Sequence, residues 1–264
     1  MEMDFRTMKK IEKVRSVSRA LALLSALGKK GKTLTELSMA VGISPSTASR
    51  LLNTLEAEGF VSCSQDNKYG PGLMLTSLLY KTDQWAPLRM IARNATQALG
   101  AEFGETAAFF VRRLSERLCI ESVESTQLVR RVCHPGERGK IFMGAAGKTL
   151  LAFDKEDEAW DELFDFRDSF TTATGEVRTV ADLKAECERI RKQGYAFSQQ
   201  ESTLESWAVA APLHLDRTLV GALTMVIPST RYSEEYLDRV IRKTIEIATA
   251  YSNKQDTESD HAIA

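Results

Sequence analysis

The stretch Ser44–Gly59, SPSTASRLLNTLEAEG, decides how this chain is read. Ser44 suits the N-cap of a helix, Pro45 its first turn and Gly59 its exit. At about 100° per residue, Ala48, Leu51, Leu52 and Leu55 share one apolar stripe. Ser46, Arg50 and Asn53 lie opposite, flanked by Thr47 and Ser49, and the outward face carries no acid before Glu56. Such a face suits the approach to phosphates and base edges: Arg and Asn are shaped for bidentate base contacts, and Ser and Thr reach either bases or phosphate. A solvated face on an ordinary helical domain would look much the same, so the neighbouring segments have to decide.

Working outward, Ser16–Leu27 is apolar at helical spacing through Val17, Ala20, Leu21, Leu24 and Leu27, which predicts a first helix. A basic turn follows, Gly28–Lys32. Thr35 reads as the N-cap of a short helix, Glu36–Val41, which ends at Gly42. Only Gly42 and Ile43 then separate it from the Ser44 helix, a helix-turn-helix spacing. Beyond Gly59, Phe60–Ser64 and Lys68–Tyr69 flank the turn-forming Gln65-Asp66-Asn67 and predict a hairpin. Three helices and a hairpin make a winged helix-turn-helix, with Lys68 on the wing. The order and spacing favour DNA binding; the alternative is a winged-helix module used for protein contacts.

Charge agrees. Residues 1–82 hold 12 Lys+Arg against 7 Asp+Glu, and the rest hold 23 against 29, so a net charge of -1 hides a basic first third. That is the sign a polyanion-binding module needs. With 43% hydrophobic and 27% charged residues, the 264-residue chain has the composition of a soluble globular protein and length for two domains. No apolar run approaches the roughly 18 residues of a membrane span, and the first residues, MEMDFRTMKK, lack an apolar signal core. A cytoplasmic protein with no membrane partner is expected. Cys63, Cys119, Cys133 and Cys187 form no CxxC pair, and His134, His214 and His261 are scattered, which suggests neither a disulfide framework nor a metal site.

The domain reading is a loose arm over 1–13, the winged module over 14–82 including an apolar segment Leu73–Lys81 packed back on it, and a linker helix over 83–100. A C-terminal domain over 101–252 and a disordered tail over 253–264 complete it. The linker helix, Trp85–Leu99 with Pro87 near its start, has an apolar stripe of Leu88, Ile91, Ala92, Ala95 and Leu99 that needs a partner, for which the same helix of a second subunit is a candidate. The C-terminal domain reads as a mixed α+β fold with an antiparallel sheet. Its strands are predicted at Thr106–Val111, Leu118–Val123, Leu128–Val132, Tyr195–Ser198, Ser206–His214 and Val220–Ile227. Its helices are predicted at Ala145–Phe153, Trp160–Phe164, Ala181–Lys192 with a Thr179/Asp182 capping box, and Ser233–Tyr251.

These residues resemble the IclR-type bacterial transcriptional regulators. RSVSRALALLSAL, TLTELSMAVGISPSTASRLLNTLEAEGFV and KYGPGLMLTSL are similar to that family's DNA-binding domain and wing. GETAAFFV, IESVES, HPGERGKIFMGAAGKTLLAF and GYAFSQQEST with AVAAPLHLDRTLVGAL are similar to its effector domain. The resemblance covers about residues 14–252. It implies a GAF-like effector domain, dimers joined through the N-terminal domains and linker, and often tetramers. Carried over residue by residue, it implies a ligand pocket at Ala145, Ala146, Ser198, Ala208, Thr224 and Val226, with Phe142 and Gly144 at positions where many members have His and Ser or Thr. Thr224 and Val226, two apart, share a sheet face, and Ala145–Gly147 would offer helix N-terminal amides to a carboxylate. The departures at Phe142 and Gly144 remove polar anchors, which points to a small organic acid less polar than a keto acid, such as an aromatic one. Arg130, Arg131 and Arg138 are candidate counter-charges. A third departure puts Glu205 where a Gly is usual.

The expected function is a ligand-responsive DNA-binding regulator, more a repressor than an activator, with no cofactor. A dimer or tetramer would hold a pseudo-palindromic double-stranded operator, with Ser44, Ser46, Thr47, Ser49, Arg50, Asn53 and Lys68 at the DNA. The alternative is a GAF-like small-molecule enzyme. Ser198, Glu201 and His214 could make a hydrolytic set on paper, but nothing around Ser198 resembles a nucleophile elbow. GAAGK also has the wrong spacing for a phosphate-binding loop.

Overall fold

The computed structural model describes residues 14–28, 31–81, 86–154, 163–164 and 168–253. The chain divides into two units, 1–84 and 85–264. The expected arm over 1–13, the first three residues of the expected helix 160–164 and the expected tail beyond Asn253 lie outside the described residues.

In the first unit, α1 (Arg15–Ala26), α2 (Leu34–Val41) and α3 (Pro45–Ala57) enclose a small core of Leu23, Leu37, Ala48, Leu52 and Val61. The stripe read from the sequence packs: Ala48 and Leu52 are buried, with Leu51 and Leu55 half-buried beside them. Ser44 caps α3, its Oγ accepting from the Thr47 amide. Gly42, at φ +67°, takes the left-handed turn that ends α2, a conformation any Cβ would strain. The start of α2 is corrected: Thr33, not Thr35, is the cap. Its hydroxyl accepts from Glu36 N and the Glu36 carboxylate accepts from Thr33 N at 2.8 Å, a capping box.

The wing has three strands: β1 (Lys32–Thr33), β2 (Val61–Cys63) and β3 (Lys68–Pro71), in the order β1-β3-β2, all antiparallel. The expected hairpin closes at Asn67 (φ +56°), whose amide donates to Ser64 O. α4 (Leu73–Lys81) does not pack as expected: Leu73 is 86% exposed, and Met74 is exposed too.

The second unit is a six-stranded antiparallel sheet between two layers of helices. Its strands are β4 (Thr106–Arg113), β5 (Glu116–Val123), β6 (Arg138–Lys140), β9 (Ala196–Gln199), β10 (Ser206–Leu215) and β11 (Thr218–Pro228). The order is β6-β5-β4-β11-β10-β9. A separate hairpin joins β7 (Ser169–Thr171) to β8 (Val177–Thr179). Alternation along the strands fills two cores. Ala107, Phe109, Trp207, Val209, Leu223 and Met225 face the helices α5 (Ala86–Phe103) and α8 (Glu234–Asn253). Ala108, Phe110, Ala210 and Ala222 face α6 (Gly144–Phe153) and the cluster that takes in Leu183, Cys187 and Ile190 of α7 (Val180–Gln193). Thr179 and Asp182 form the expected capping box on α7, and the Ser233 hydroxyl accepts from Tyr236 N at the start of α8.

Two expectations are corrected. The apolar stripe of α5 is satisfied within the unit: Ile91, Ala92, Ala95 and Leu99 are buried against the sheet and α8. Leu128–Val132 is not a strand. The edge of β5 pairs instead with β6, Leu118 opposite Arg138, and Leu128 stands 97% exposed.

Candidate DNA-reading helix and effector cavity

On α3, Ser46, Arg50 and Asn53 are exposed along one stripe, and Thr47 and Ser49 are half-buried at its margins. Ser44 Oγ, besides capping, lies 3.1 Å from Ser46 Oγ and 2.9 Å from Thr47 Oγ1, so its side chain serves the first turn. Glu56, the first acid on the helix, accepts from the Cys63 amide of β2 at 3.2 Å. Arg50 forms no salt bridge with any described carboxylate. Lys68, opposite Thr33 on the wing, is exposed. The bonds from Thr33 hold the Glu36 carboxyl below its ordinary range, with Lys68 and Lys32 adding to the effect.

In the second unit the register assembles the other residues. Ser198, Ala208, Val226 and Thr106 stand side by side across β9, β10, β11 and β4, and Ala210, Thr224 and Ala108 form the next row. Above these rows sits the N-terminus of α6. Between them is a cavity of about 170 Å³, whose wall includes Gly144, Ala145, Ala146, Ser198, Ala208, Thr224 and Val226. Phe142 is not in that wall: its ring packs on Phe164 (4.5 Å between centroids) and Phe170 (5.0 Å), under Lys140. Glu205, where the resemblance leads one to expect Gly, holds the left-handed conformation at φ +55°, which explains a preference for Gly there.

The α6 amides differ from expectation. Gly144 N donates to Glu201 Oε2 (3.2 Å) and Ala145 N to Ser198 Oγ (2.9 Å), so the chain fills these two positions with its own side chains. Glu201 is one corner of a buried ion cluster. Lys148 Nζ reaches Glu186 and Glu201, each at 2.7 Å, and Arg178 reaches Glu186 at 2.7 Å and Glu201 at 3.2 Å. A Cβ on Gly147 would meet Ile141 O at 2.2 Å, so only glycine lets this turn approach so closely.

Sequence reading missed Arg117, which lines the cavity from β5. Its Nη1 donates to Lys140 O (2.9 Å) and Met143 O (2.7 Å), and its guanidinium lies 5.7 Å from the Phe110 ring centre. It forms no salt bridge with a described carboxylate. Burial pulls its pKa below the ordinary arginine value, with Cys133, Glu137 and Glu201 pulling the other way. Among the arginines named from sequence, Arg131 lines the cavity, whereas Arg130 pairs with Glu124 and Arg138 with Glu116. The Cys133 thiol, also in the wall, is pushed up to about 12 by burial, then by Glu137, and stays protonated at neutral pH.

An open groove of about 650 Å³ lies elsewhere, near Phe153, Pro212, His214 and Ile245, and none of the residues predicted to bind the effector borders it. The smaller cavity gathers the convergent polar groups expected of a ligand site. No hydrolytic set forms: Ser198 serves the Ala145 amide, Glu201 sits in the ion cluster, and His214 lies edge-on to Phe153 at 5.9 Å. Among the described residues no group of His, Cys, Asp or Glu could hold a metal, and no helix is long and apolar enough to cross a membrane.

A helix-turn-helix whose Ser46–Arg50–Asn53 stripe carries no acid, in one chain with a domain that holds a small polar-lined cavity, defines a ligand-responsive DNA-binding regulator. The family models agree. The IclR helix-turn-helix domain matches residues 16–63, and the bacterial transcriptional regulator IclR C-terminal domain matches residues 82–253; the chain belongs to the IclR family of transcriptional regulators. The transcriptional repressor IclR of Escherichia coli is 28% identical over 253 residues, covering 90% of each chain. The crystal structure of an IclR transcriptional regulator from Alicyclobacillus acidocaldarius superposes with a TM-score of 0.72 at 26% identity, covering 91% of this chain and 98% of that one. An IclR homologue from Microbacterium hydrocarbonoxydans, crystallised with 4-hydroxybenzoate, shares the fold at a TM-score of 0.72 and 17% identity, covering 90% of this chain and 99% of its own. The family consists of DNA-binding regulators rather than enzymes.

Proposed function

We propose that the chain is a repressor that binds a pseudo-palindromic operator as a homodimer or tetramer and changes its operator affinity when a small organic acid enters the α6 cavity. Two α3 helices enter successive major grooves about one helical turn apart. Ser46, Thr47, Ser49, Arg50 and Asn53 read base edges, Ser44 holds the first turn, and Lys68 contacts the backbone. Gly144, Ala145, Ala146, Ser198, Ala208, Thr224 and Val226 surround the acid, which differs in affinity between the two arrangements of the DNA-binding units and so shifts their balance. The observation that carries this reading is the exposed Ser46–Arg50–Asn53 stripe, free of acids and backed by an apolar face that packs on the core. The repressor named IclR and the 4-hydroxybenzoate complex support the direction of control and an aromatic acid respectively.

The test is selection of double-stranded DNA from a random library by the full chain, followed by a mobility-shift titration of the selected site with and without benzoate. Enrichment of an inverted repeat whose retention changes with benzoate is expected. Enrichment of no sequence would refute the DNA-reading role, and a site indifferent to organic acids would refute the acid switch.

A further inference from the structure

Two amides at the N-terminus of α6, the expected anchor for an acid, are already engaged: Glu201 holds that of Gly144 and Ser198 that of Ala145. With fewer amides left to it, a ligand carboxylate gains from a cationic partner, and the wall of the cavity offers one. Its lining residues include two arginines, Arg117 and Arg131, and two glutamates, Glu137 and Glu201. The Glu201 charge is already balanced, because Lys148, Arg178, Glu186 and Glu201 close a cluster of two cations and two anions. What remains is two guanidiniums against Glu137, a surplus of one positive charge.

Of the two, Arg117 is the preorganised one. Carbonyls of Lys140 and Met143 both engage Nη1, which leaves Nε and Nη2 without a described hydrogen-bond partner. The register sets Gly139 directly opposite Arg117, and a Cβ there would lie 2.7 Å from the guanidinium carbon. Gly144 borders it from the other side, its would-be Cβ 3.9 Å from that carbon. Two bare positions thus make room for a flat cation and hold it in place. A cation fixed this way loses little conformational freedom when a carboxylate arrives, and its fork suits a planar carboxylate.

Size completes the argument. A cavity of about 150 Å³ accepts one benzene ring, and this one measures about 170 Å³. We propose that Arg117 is the seat of the effector's carboxylate and that the effector is a monoanionic acid of about one ring, its carboxylate on Arg117 and its body over Ala208, Thr224 and Val226. A dianion would leave one charge uncompensated in a buried site. The inference rests on the reading of this cavity as the acid site of the regulator.

Calorimetric titration of the full chain with benzoate, its neutral isostere benzamide and the dianion phthalate tests it, with folding of each variant checked by circular dichroism. In the wild type, benzoate binds at least about tenfold tighter than benzamide or phthalate, as a charge-assisted bidentate contact should. Arg117→Met removes that preference, weakening benzoate about tenfold or more and leaving benzamide unmoved; Arg117→Lys, which keeps the charge but not the fork, retains only part of it. Gly139→Ala, which moves only the far end of a flexible side chain, weakens benzoate several-fold with the Arg117 charge still present. Benzoate binding equally to wild type and Arg117→Met would overturn the assignment of Arg117 alone, and phthalate binding tightest would overturn the monoanion. If none of the three compounds binds the wild type, the reading of the cavity as an acid site falls, and this inference with it.

Discussion

Replacing Lys148 by methionine tests whether the cluster beneath the cavity acts as one unit. The side chain is 3% exposed, and its ammonium touches Glu186 and Glu201, each at 2.7 Å, and the Phe197 carbonyl at 3.2 Å. Without it, two carboxylates share the single guanidinium of Arg178 in a site largely closed to water. Removing one partner from a buried ion pair costs about 3–5 kcal/mol, because it strands the other charge. With a urea slope of about 2 kcal/mol/M, the unfolding midpoint should fall by about 1.5–2.5 M. Tryptophan fluorescence is a selective probe: Trp85, Trp160 and Trp207 all belong to the second unit. Lys148→Met/Glu201→Gln should be less damaging than the two single changes added together, by about 0.5–3 kcal/mol, because the remaining Arg178–Glu186 pair is balanced. A midpoint for Lys148→Met within about 0.5 M of the wild type, or strict additivity in the double variant, would refute the view of these four residues as a coupled cluster.

Arg50→Ala should cost about 1–3 kcal/mol in operator binding and relax base preference at one position of each half-site, read by footprinting on a panel of single-base operator variants. Lys68→Ala should weaken binding to all sequences alike and lower the salt slope by about one, measured by titration across potassium chloride concentrations. Ser44→Ala removes the N-cap of α3 and should destabilise the first unit by about 1 kcal/mol, read by hydrogen exchange of its core amides. For acid stability, burial pushes the Glu186 carboxyl up, but the Lys148 ammonium and the bonds from Lys148 and Arg178 pull it further down, for a net lowering. Its contribution is therefore full above the ordinary glutamate pKa of about 4.3 and is lost as pH falls through the lowered folded value. Glu186→Gln should flatten that acid limb of the fluorescence-detected stability curve.

What could be read in advance depended on how local its cause was. α3 announced itself because its cap, its proline and its stripe lie within one stretch of chain. β1 did not: Lys32 and Thr33 carry no period, and they become a strand only because β3 lies alongside. Leu128–Val132 has a strand's composition, yet the edge it needed is taken by Arg138–Lys140, while Thr106 and Arg231 side chains hold the carbonyls of Arg131 and Val129. The small residues of the cavity followed from the resemblance. Phe142 did not, since a ring at that position finds Phe164 and Phe170 before it finds the cavity. The hold of Glu201 on the Gly144 amide spans 57 residues, and Arg117 sits in a charged stretch, LSER, whose composition suggests surface, although strand alternation puts it on the same face of β5 as the buried Cys119.

Thr33 has a practical consequence for moving this DNA reader into another protein. The same residue pairs with Lys68 in the wing and starts α2 through its capping box with Glu36. A graft that begins at Leu34 would carry both helices of the reader yet cut away the signal that starts the first of them and the outer strand that steadies the wing. Because Leu23 of α1 fills the same core, the smallest transplantable module begins before Arg15, and a chimera joined there keeps reading helix and wing as a single piece.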